Sequence, residues 1–388
     1  MSKWFLSNRR SGSKPAKADH DRGAVLLWFS VMAVAMLGMG ALVIDVGALW
    51  SERRQLQNGA DAAALAVAID CAGGDCSAPQ QKAEEFADYN ADDASSDVLT
   101  VCGKPTPLSL CAPPPGAEDV LGFVKVVTGT RNSGGSNSNE VEFKLAPVLD
   151  SANDGQTVTA SAAVAWGTPK GAPVLPFVFS KCAVEQFRNQ IDNTLNFPQT
   201  IVRVNLHDAS KALDDSQSCT ITGSDGTQVK WPSGFGFTGS ASTGCGSELV
   251  NLDTSADGTS QTGTIEGENE GNSISTDCEA ELIRRYNAGE PVIVPVMYWR
   301  LGTGGSTVWQ VDGFVAIEIC AFDIKGNDGL EFNTCRNPDN SPNAVCSPIR
   351  GGGQDVKRLC GRFTPYVLTD GDLGGGTDYG VRVIKMIG

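Results

Sequence analysis

The sequence predicts an α+β protein: an N-terminal transmembrane helix that continues into a stalk helix, then a disulfide-braced, β-rich ectodomain. Residues 23–44 contain no charged residue, and no proline interrupts the chain between Arg22 and Asp70. All 12 cysteines, from Cys71 to Cys360, follow the apolar segment. With 45 glycines and 19 prolines in 388 residues, the remainder favours turns and short strands over a helical bundle.

The apolar segment is long enough to cross a membrane. Its 22 residues span ~33 Å as a helix, against about 30 Å of bilayer hydrocarbon. A buried helix of a soluble core is one alternative, but such helices seldom stay apolar on every face. A cleavable signal peptide is another, with a shorter apolar region of about 7–15 residues. Because this segment runs on into helix-forming sequence, we expect a signal anchor that is retained.

Charge predicts the orientation of the single span. Six Lys or Arg and two Asp precede Gly23, a net +4, so the rest must sum to −19 to reach the total of −15. A short basic tail stays cytoplasmic, which places the bulk of the chain outside the cell membrane. Cysteines confined to the exported side agree with an oxidising compartment. So acidic an ectodomain repels phosphate backbones, and we expect no nucleic-acid partner.

The stretch after the apolar segment, ERRQLQNGADAAALAVAID, is rich in strong helix formers. Ala60, Ala64 and Ala68 recur every four residues and give one helix face of small side chains. Such a face lets another helix approach closely. A plain amphipathic stalk is the alternative.

Three strings in this region resemble a known family. RGAV, IDVGALW and RRQLQNGADAAALA are similar to the N-terminal segment of TadG-like and TadE/G-like proteins of tight-adherence (Flp) pilus systems. The resemblance is carried by Asp45, Gly47, Leu56, Gln57, Ala60, Asp61, Ala62, Ala63, Ala64 and Leu65. Later stretches, among them WPSGFGF and the run GEPVIVPVMYWRLGTGGSTVWQVDGFVAIEICAFDI, resemble the ectodomains of actinobacterial members as far as about Phe322.

The resemblance implies a membrane-anchored accessory or assembly component of a pilus or related surface apparatus. Its partners are then the lipid bilayer and other pilus-assembly membrane proteins or pilins, met by helix–helix and surface binding, with no enzymatic activity and no cofactor. An anchored adhesin or a calcium-stabilised binding module is the alternative outside pili. An anchored hydrolase is a third hypothesis.

The resemblance also brings a comparison with type IV pilins and pseudopilins, which are cut after a glycine and carry Glu five residues on. If Gly23 precedes the cut, the corresponding position is Trp28, and no Glu occurs in the span. We therefore expect an uncut anchored protein. Asp45 has two interpretations: it marks the outer boundary of the span, or it pairs with a cation on a partner helix.

The predicted divisions are a basic tail, 1–22; an anchor, 23–50; the stalk with a pilin-like small α+β module, 51–170; and a β-rich extracytoplasmic domain, 171–388. A short helix is expected within residues 77–91 and an antiparallel sheet within 98–166, followed by a linker at 167–173. Further strands are expected at 174–179, 201–206, 292–299, 308–322, 362–368 and 379–386. Residues 253–277 are polar and rich in glycine, which predicts a mobile surface loop.

Catalytic and metal-binding patterns are few. The histidines are His20 in the basic tail and His207, so serine-triad chemistry would depend on His207. No GxSxG, Walker or dinucleotide motif occurs, and cysteines at CxxC spacing are missing, so no metal site is predicted. Three acidic loops, at 323–331, 252–257 and 369–380, resemble calcium loops only superficially and are interpreted as turns.

Cysteine spacing predicts some of the disulfides. Short separations favour Cys71–Cys76 and Cys102–Cys111, and Cys245 and Cys278 bracket the acidic segment. The resemblance to actinobacterial ectodomains also implies two cysteines around such an insertion. A further bridge near the C-terminus is expected from Cys335, Cys346 and Cys360, while Cys182, Cys219 and Cys320 stay open.

The first testable prediction concerns the anchor. Because the apolar segment exceeds a signal peptide and has no Glu at the pilin spacing, the mature protein should keep its N-terminus. N-terminal sequencing and intact mass of membrane-extracted protein measure this. A mature start at Ala24 would instead indicate a processed pilin-like subunit, and a start beyond Trp50 a secreted protein.

Overall fold

The fold is taken from a computed structural model. It describes residues 20–92, 96–117, 120–131, 140–145, 147, 155–188, 201–205, 218–222, 228–232, 235–238, 248–254, 261–266, 275–301, 308–323, 332–337, 339–343 and 358–387. The helices are α1 (His20–Ala72), α2 (Pro79–Tyr89), α3 (Lys181–Arg188) and α4 (Thr276–Ala288). The strands are β1 (Ser96–Lys104), β2 (Gly122–Thr130), β3 (Val141–Glu142), β4 (Gly155–Gln156), β5 (Thr159–Gly167), β6 (Gly171–Val174), β7 (Phe177–Ser180), β8 (Val202–Asn205), β9 (Ser218–Thr222), β10 (Gln228–Pro232), β11 (Phe235–Phe237), β12 (Glu248–Asn251), β13 (Asp253–Thr254), β14 (Gln261–Glu266), β15 (Val292–Leu301), β16 (Val308–Asp323), β17 (Phe332–Asn333), β18 (Arg358–Thr364), β19 (Tyr366–Leu368), β20 (Thr377–Asp378) and β21 (Val381–Met386).

One continuous helix, α1, joins the apolar segment to the stalk. Its 53 residues extend ~80 Å. It stops where two glycines follow, the second of which, Gly74, has φ +96°, a conformation that favours glycine. In the first half, the large apolar side chains between Val25 and Trp50 are mostly more than half exposed. This half is long and apolar enough to cross a membrane, with a mean hydropathy of 2.2.

The first sheet lies beside the second half of α1. Its strand order is β1-β2-β5-β21-β19, antiparallel except where β19 runs parallel to β21. Alternate residues of β2 and β5 form the face covered by α1 and α2. Val124, Val126, Val164 and Trp166 on that face are at most 1% exposed. The expected antiparallel sheet within residues 98–166 and the short helix within 77–91 are confirmed.

A larger second sheet is organised around β16. The path runs β11-β7-β15-β16-β14-β13, while β17, β18 and β20 also pair with β16, and β8 pairs with β18. Successive residues of β15 alternate between two cores, Val294 with Phe179 on one side and Ile293 with Phe314 on the other. Such alternation buries a strand on both faces. Helices α3 and α4 cover one of those faces, the latter through Leu282.

Helix α4 lies in a region for which the composition favoured strands alone. Its boundary signals are local, since the Ser275 side chain accepts the Cys278 N–H at 3.2 Å and Asp277 stands in the first turn. Gly289, with φ +64°, ends the helix. The sequence contains these helix signals, but the prediction of a strand-rich region did not include a helix here.

Two loop predictions were wrong. Residues 167–173 are not a linker, because β6 pairs with β12, the Lys170 N–H donates to the Asp372 carbonyl at 2.8 Å, and the Leu252 N–H donates to the Lys170 carbonyl at 2.7 Å. Within residues 253–277, strand β14 pairs with β16 and α4 begins at Thr276. The β-branched residues of β14 fit a pleated surface and explain its pairing. The rest of that stretch lies outside the described residues.

The C-terminal strand returns to the first sheet. In β21, Ile384 is opposite Trp166 of β5 and joins the core under α1. The sequence predicts this strand but not its partner. The division of the ectodomain between residues 170 and 171 stays a prediction.

A buried arginine connects that strand to the end of α1. Arg382 is 3% exposed, and its Nη1 donates to the Ala72 carbonyl at 3.0 Å. Its Nη2 donates to Asp378 Oδ2 at 2.8 Å. The last carbonyls of a helix lack internal partners and carry partial negative charge, so a cation there satisfies both needs.

A second buried polar group lies in the larger sheet. Asp312 is 7% exposed and accepts hydrogen bonds from Lys181 Nζ at 3.0 Å, Thr377 Oγ1 at 3.2 Å and the Tyr379 hydroxyl at 3.2 Å. Burial, followed by the Asp312 charge, raises the pKa of Tyr379, so its phenol stays a neutral donor. The cluster connects α3, β16 and β20.

We predict that Arg382→Met strongly destabilises the ectodomain. The substitution leaves Asp378 without its cation and the Ala72 carbonyl without a donor, a loss of about 3–5 kcal/mol for a broken buried pair. Thermal unfolding of detergent-solubilised full-length protein measures it. Lys385→Met on the same strand is the control, because the Lys385–Asp372 pair is exposed and its loss should hardly change Tm. Equal Tm values for both variants would contradict this role of Arg382.

Candidate helix-packing site

The small-residue face of α1 is covered by the chain itself. Ala60, Ala64 and Ala68 are each 0% exposed and share a core with α2 and the first sheet. A Cβ added at Gly59 would lie 3.3 Å from the Ala87 carbonyl oxygen of α2. Small side chains therefore do bring a second helix close, and that helix is α2. A partner helix must use another face of α1.

The neighbouring residues of the QLQNGAD string attach α1 to the sheet. Leu56 is 3% exposed, and its carbonyl accepts the buried Thr128 hydroxyl at 2.9 Å. Gln57 Nε2 donates to Asp61 Oδ1 at 2.8 Å, one helical turn on, and to the Ser161 carbonyl at 3.2 Å. These bonds fix the rotation of α1 over β2 and β5, because each partner sits on a defined strand residue.

Asp45 joins the apolar half of α1 to a small hairpin. It is 6% exposed, and its carboxylate accepts the backbone N–H of Lys144 at 2.8 Å and of Leu145 at 3.2 Å. Lys144 and Leu145 follow β3, which pairs with β4. The structure thus gives Asp45 a role that neither interpretation of the sequence contains: two amides of its own chain, about a hundred residues away, stabilise the carboxylate.

Gly47 and two other glycines of the apolar half, Gly38 and Gly40, have open space beside them. A Cβ added at Gly38, Gly40 or Gly47 would meet no atom within 4 Å. Gly40 and Gly47 are seven residues apart and lie on nearly the same side of an α-helix. Close approach of another helix is sterically possible here, which is no longer true of Ala60, Ala64 and Ala68.

Above the membrane half, α1 keeps a narrow exposed stripe. Its apolar members are Leu65, 36% exposed, and Ile69, 37% exposed, one turn apart. Arg54 and Asn58 continue the stripe toward the apolar half. A partner can reach this stripe as well as the largely exposed apolar half of α1.

Disulfides hold several of these elements. Cys71–Cys76 closes the loop after α1, and Cys102–Cys111 closes the loop after β1. Cys278 at the start of α4 is disulfide-bonded, while Cys245 lies outside the described residues. None of the cysteines in the described ranges is free.

Cys335 does not take part in the bridge expected near the C-terminus; Cys360 is disulfide-bonded, and Cys346 lies outside the described residues. Cys335 is bonded to Cys320, not to Cys346 or Cys360. The reason is the antiparallel pairing of β16 with β17, where Ala321 is opposite Asn333 and brings the two cysteines together. This pairing brings together two strands whose association has no signature in the cysteine spacing.

The residues considered for chemistry do not form a site in the described part of the chain. His207 and most of the acidic loops at 252–257 and 323–331 lie outside it. In the loop at 369–380, Asp372 binds Lys385 Nζ at 2.7 Å and Asp378 binds Arg382. Among the described residues, no three His, Cys, Asp or Glu are grouped as metal ligands would be.

We predict that Ala64→Leu destabilises the protein through overpacking. Ala64 has no exposed surface, so the added atoms must displace α2 or the sheet, at a cost of about 1–3 kcal/mol. Thermal unfolding measures the change. Ala62→Leu, at a partly exposed position on the same helix, is the control and should leave Tm nearly unchanged. If the two variants melt together, the packing described for this face is incorrect.

Comparison with known proteins finds a match over most of α1. Residues 23–70 match the Tad family model, described as Flp pilus-assembly TadE/G-like, over about an eighth of the chain. No curated protein and no solved structure matches the chain. The match ends before the strands, so the resemblance of later stretches to actinobacterial ectodomains stays a prediction. The apolar segment and stalk of this protein form a TadE/G-like helix.

Proposed function

We propose that the protein is a membrane-anchored accessory or assembly component of a tight-adherence (Flp-type) pilus or related surface apparatus. Its work is binding rather than catalysis. The TadE/G-like helix supports the association with pilus assembly. The basic tail before Gly23 supports a cytoplasmic N-terminus, which puts the ectodomain outside the cell membrane.

The observation that carries the proposal is the continuity of α1. One helix of 53 residues has a lipid-compatible first half and a second half buried in the core of the first sheet. No break separates the two, so the ectodomain is held at a fixed rotation and height over the membrane. A rigid connection of this kind suits a component whose ectodomain must be held at a fixed position relative to its partners in the membrane.

The partner surfaces follow from what α1 leaves uncovered. In the membrane half, Gly40 and Gly47 offer a side on which another transmembrane helix can pack closely. Above it, Leu65 and Ile69 offer a small apolar contact outside the bilayer. We propose pilus-assembly membrane proteins on the glycine side and pilins or other subunits along the exposed stripe.

The calcium-stabilised alternative finds less support. In the glycine-rich loop at 369–380, Asp372 is paired with Lys385 and Asp378 with Arg382. These pairs use carboxylate oxygens that a calcium ion would need as ligands. An adhesin not tied to pili has no described feature in its favour.

The test uses the full chain in cells that assemble the pilus. The double variant Gly40→Leu/Gly47→Leu should reach the membrane normally, because leucine suits both a helix and lipid. It should lose most photo-crosslinks to other pilus-assembly membrane proteins and most surface pili, since leucine blocks close approach.

Ala35→Leu is the matched control. It adds the same side chain about 140° away around the helix from Gly40, at an exposed position. Pili should be normal in this variant. If deleting the whole gene leaves pilus number and pilus-dependent attachment unchanged, the assembly role is wrong.

A further inference from the structure

The groove between α1 and the connection from β4 to β5 lies where the apolar half of α1 ends. Its volume is about 440 Å³, and it is lined on the helix side by Val46, Leu49, Trp50 and Arg53 and on the other side by residues 156–159. A volume of this size is within the range of small-molecule sites. The groove is therefore large enough for part of an amphiphile.

Hydrogen bonds hold the β3–β4 hairpin on α1 and also hold the wall of the groove that faces α1. Asp45 fixes the segment after β3 onto α1 through the Lys144 and Leu145 amides. On the wall that faces α1, Val158 exchanges bonds with Thr130, whose N–H donates to the Val158 carbonyl at 3.1 Å. The groove is thus part of the fold, and it does not depend on exposed side chains alone.

The position along α1 identifies the environment. An uncharged helix that begins at Gly23 reaches across the bilayer hydrocarbon by about residue 44. Asp45 is buried against the Lys144 amide of the same chain. Its charge is therefore not exposed on the helix surface, and the apolar surface continues past it to Trp50. Tryptophan is enriched at the boundary between hydrocarbon and headgroups. The groove therefore opens at the headgroup level of the leaflet beyond the span.

The chemistry of the groove changes along its length. Val46 and Leu49 lie at the deeper end, Trp50 follows, and Arg53 stands one turn higher. Arg54 lies over the Trp50 ring at 4.9 Å, which orients the indole. Among the described residues, no carboxylate pairs with Arg53. The apolar residues Val46 and Leu49 suit the acyl chain of a lipid, and Arg53, nearer the headgroup level, suits an anionic headgroup.

We propose that this groove binds a phospholipid with an anionic headgroup, with the acyl chain along Val46 and Leu49 and the phosphate at Arg53. The chain after Gly23 carries a strong net negative charge, whereas the charged residue in this groove is the cation Arg53. The bound lipid completes the contact between ectodomain and bilayer on the hairpin side of α1. The inference rests on the insertion of α1 that is proposed above and not on any pilus partner.

The test compares two lipids with the same acyl chains. Full-length protein is purified in mild detergent, delipidated, and given phosphatidylglycerol or phosphatidylcholine at equal concentration, and native mass spectrometry counts the lipid retained. We expect a preference for phosphatidylglycerol of roughly five-fold at low salt, the size expected for one basic residue near an anionic membrane surface. High salt should reduce it.

Two variants and a control distinguish lipid bound in the groove from lipid bound elsewhere on the transmembrane surface. Arg53→Gln should abolish the preference while leaving total lipid similar, and Val46→Trp should lower retention of both lipids by filling the apolar end. Lys104→Gln, an exposed lysine at the opposite end of β1 from the groove, should keep the wild-type preference.

Equal retention of the two lipids by the wild type, or an unchanged preference in Arg53→Gln, would overturn the lipid site. So would a crosslink that places a second copy of the chain in the groove. A separate reconstitution into phosphatidylcholine vesicles tests the proposed anchoring: if that proposal fails, the protein does not enter the vesicles at all, whatever the lipid preference measured in detergent.

Discussion

Burial of the small-residue face of α1 is the contact on which the rest of the structure depends. Alanines at four-residue spacing let the helix lie close to β2 and β5, and Gly59 lets α2 lie close beside it. Dispersion and burial gains are large only where surfaces approach this closely. Since the same helix continues without a break toward residue 25, the packing that builds the first sheet also sets how that sheet is oriented relative to the apolar half of α1.

Two charged side chains bond to backbone groups at opposite ends of the second half of α1. At the lower end, Asp45 is neutralised in effect by backbone amides, which makes a charge tolerable beside the apolar half. At the upper end, Arg382 satisfies the last carbonyls of α1. The stalk is therefore held at both ends by charged side chains bonded to backbone groups, and along its length by apolar packing.

Local features were readable from the sequence and non-local ones were not. The apolar segment, the long helix and most strands carry their signal within a few residues, as do the caps of α4, which strand-rich composition caused us to overlook. The partner of β21 is β5, more than two hundred residues earlier, and the partners of Asp45 are backbone amides, which any residue type supplies. The four-residue spacing of Ala60, Ala64 and Ala68 indicated close approach, but spacing cannot say which element approaches.

One family pattern therefore covers two physical roles. The matched residues 23–70 include a half that is mostly exposed, apart from positions such as Ala41 and Asp45, and a half that the chain's own sheet and α2 bury. A partner that displaced α2 from the buried half would expose a core of fully buried alanines and valines, and the fold would lose its main support. Binding beside Gly40 and Gly47 leaves that core intact, because a Cβ added at either glycine would meet no atom within 4 Å. Contacts made on the exposed half therefore leave the core intact, and the unbroken helix connects that half to the first sheet.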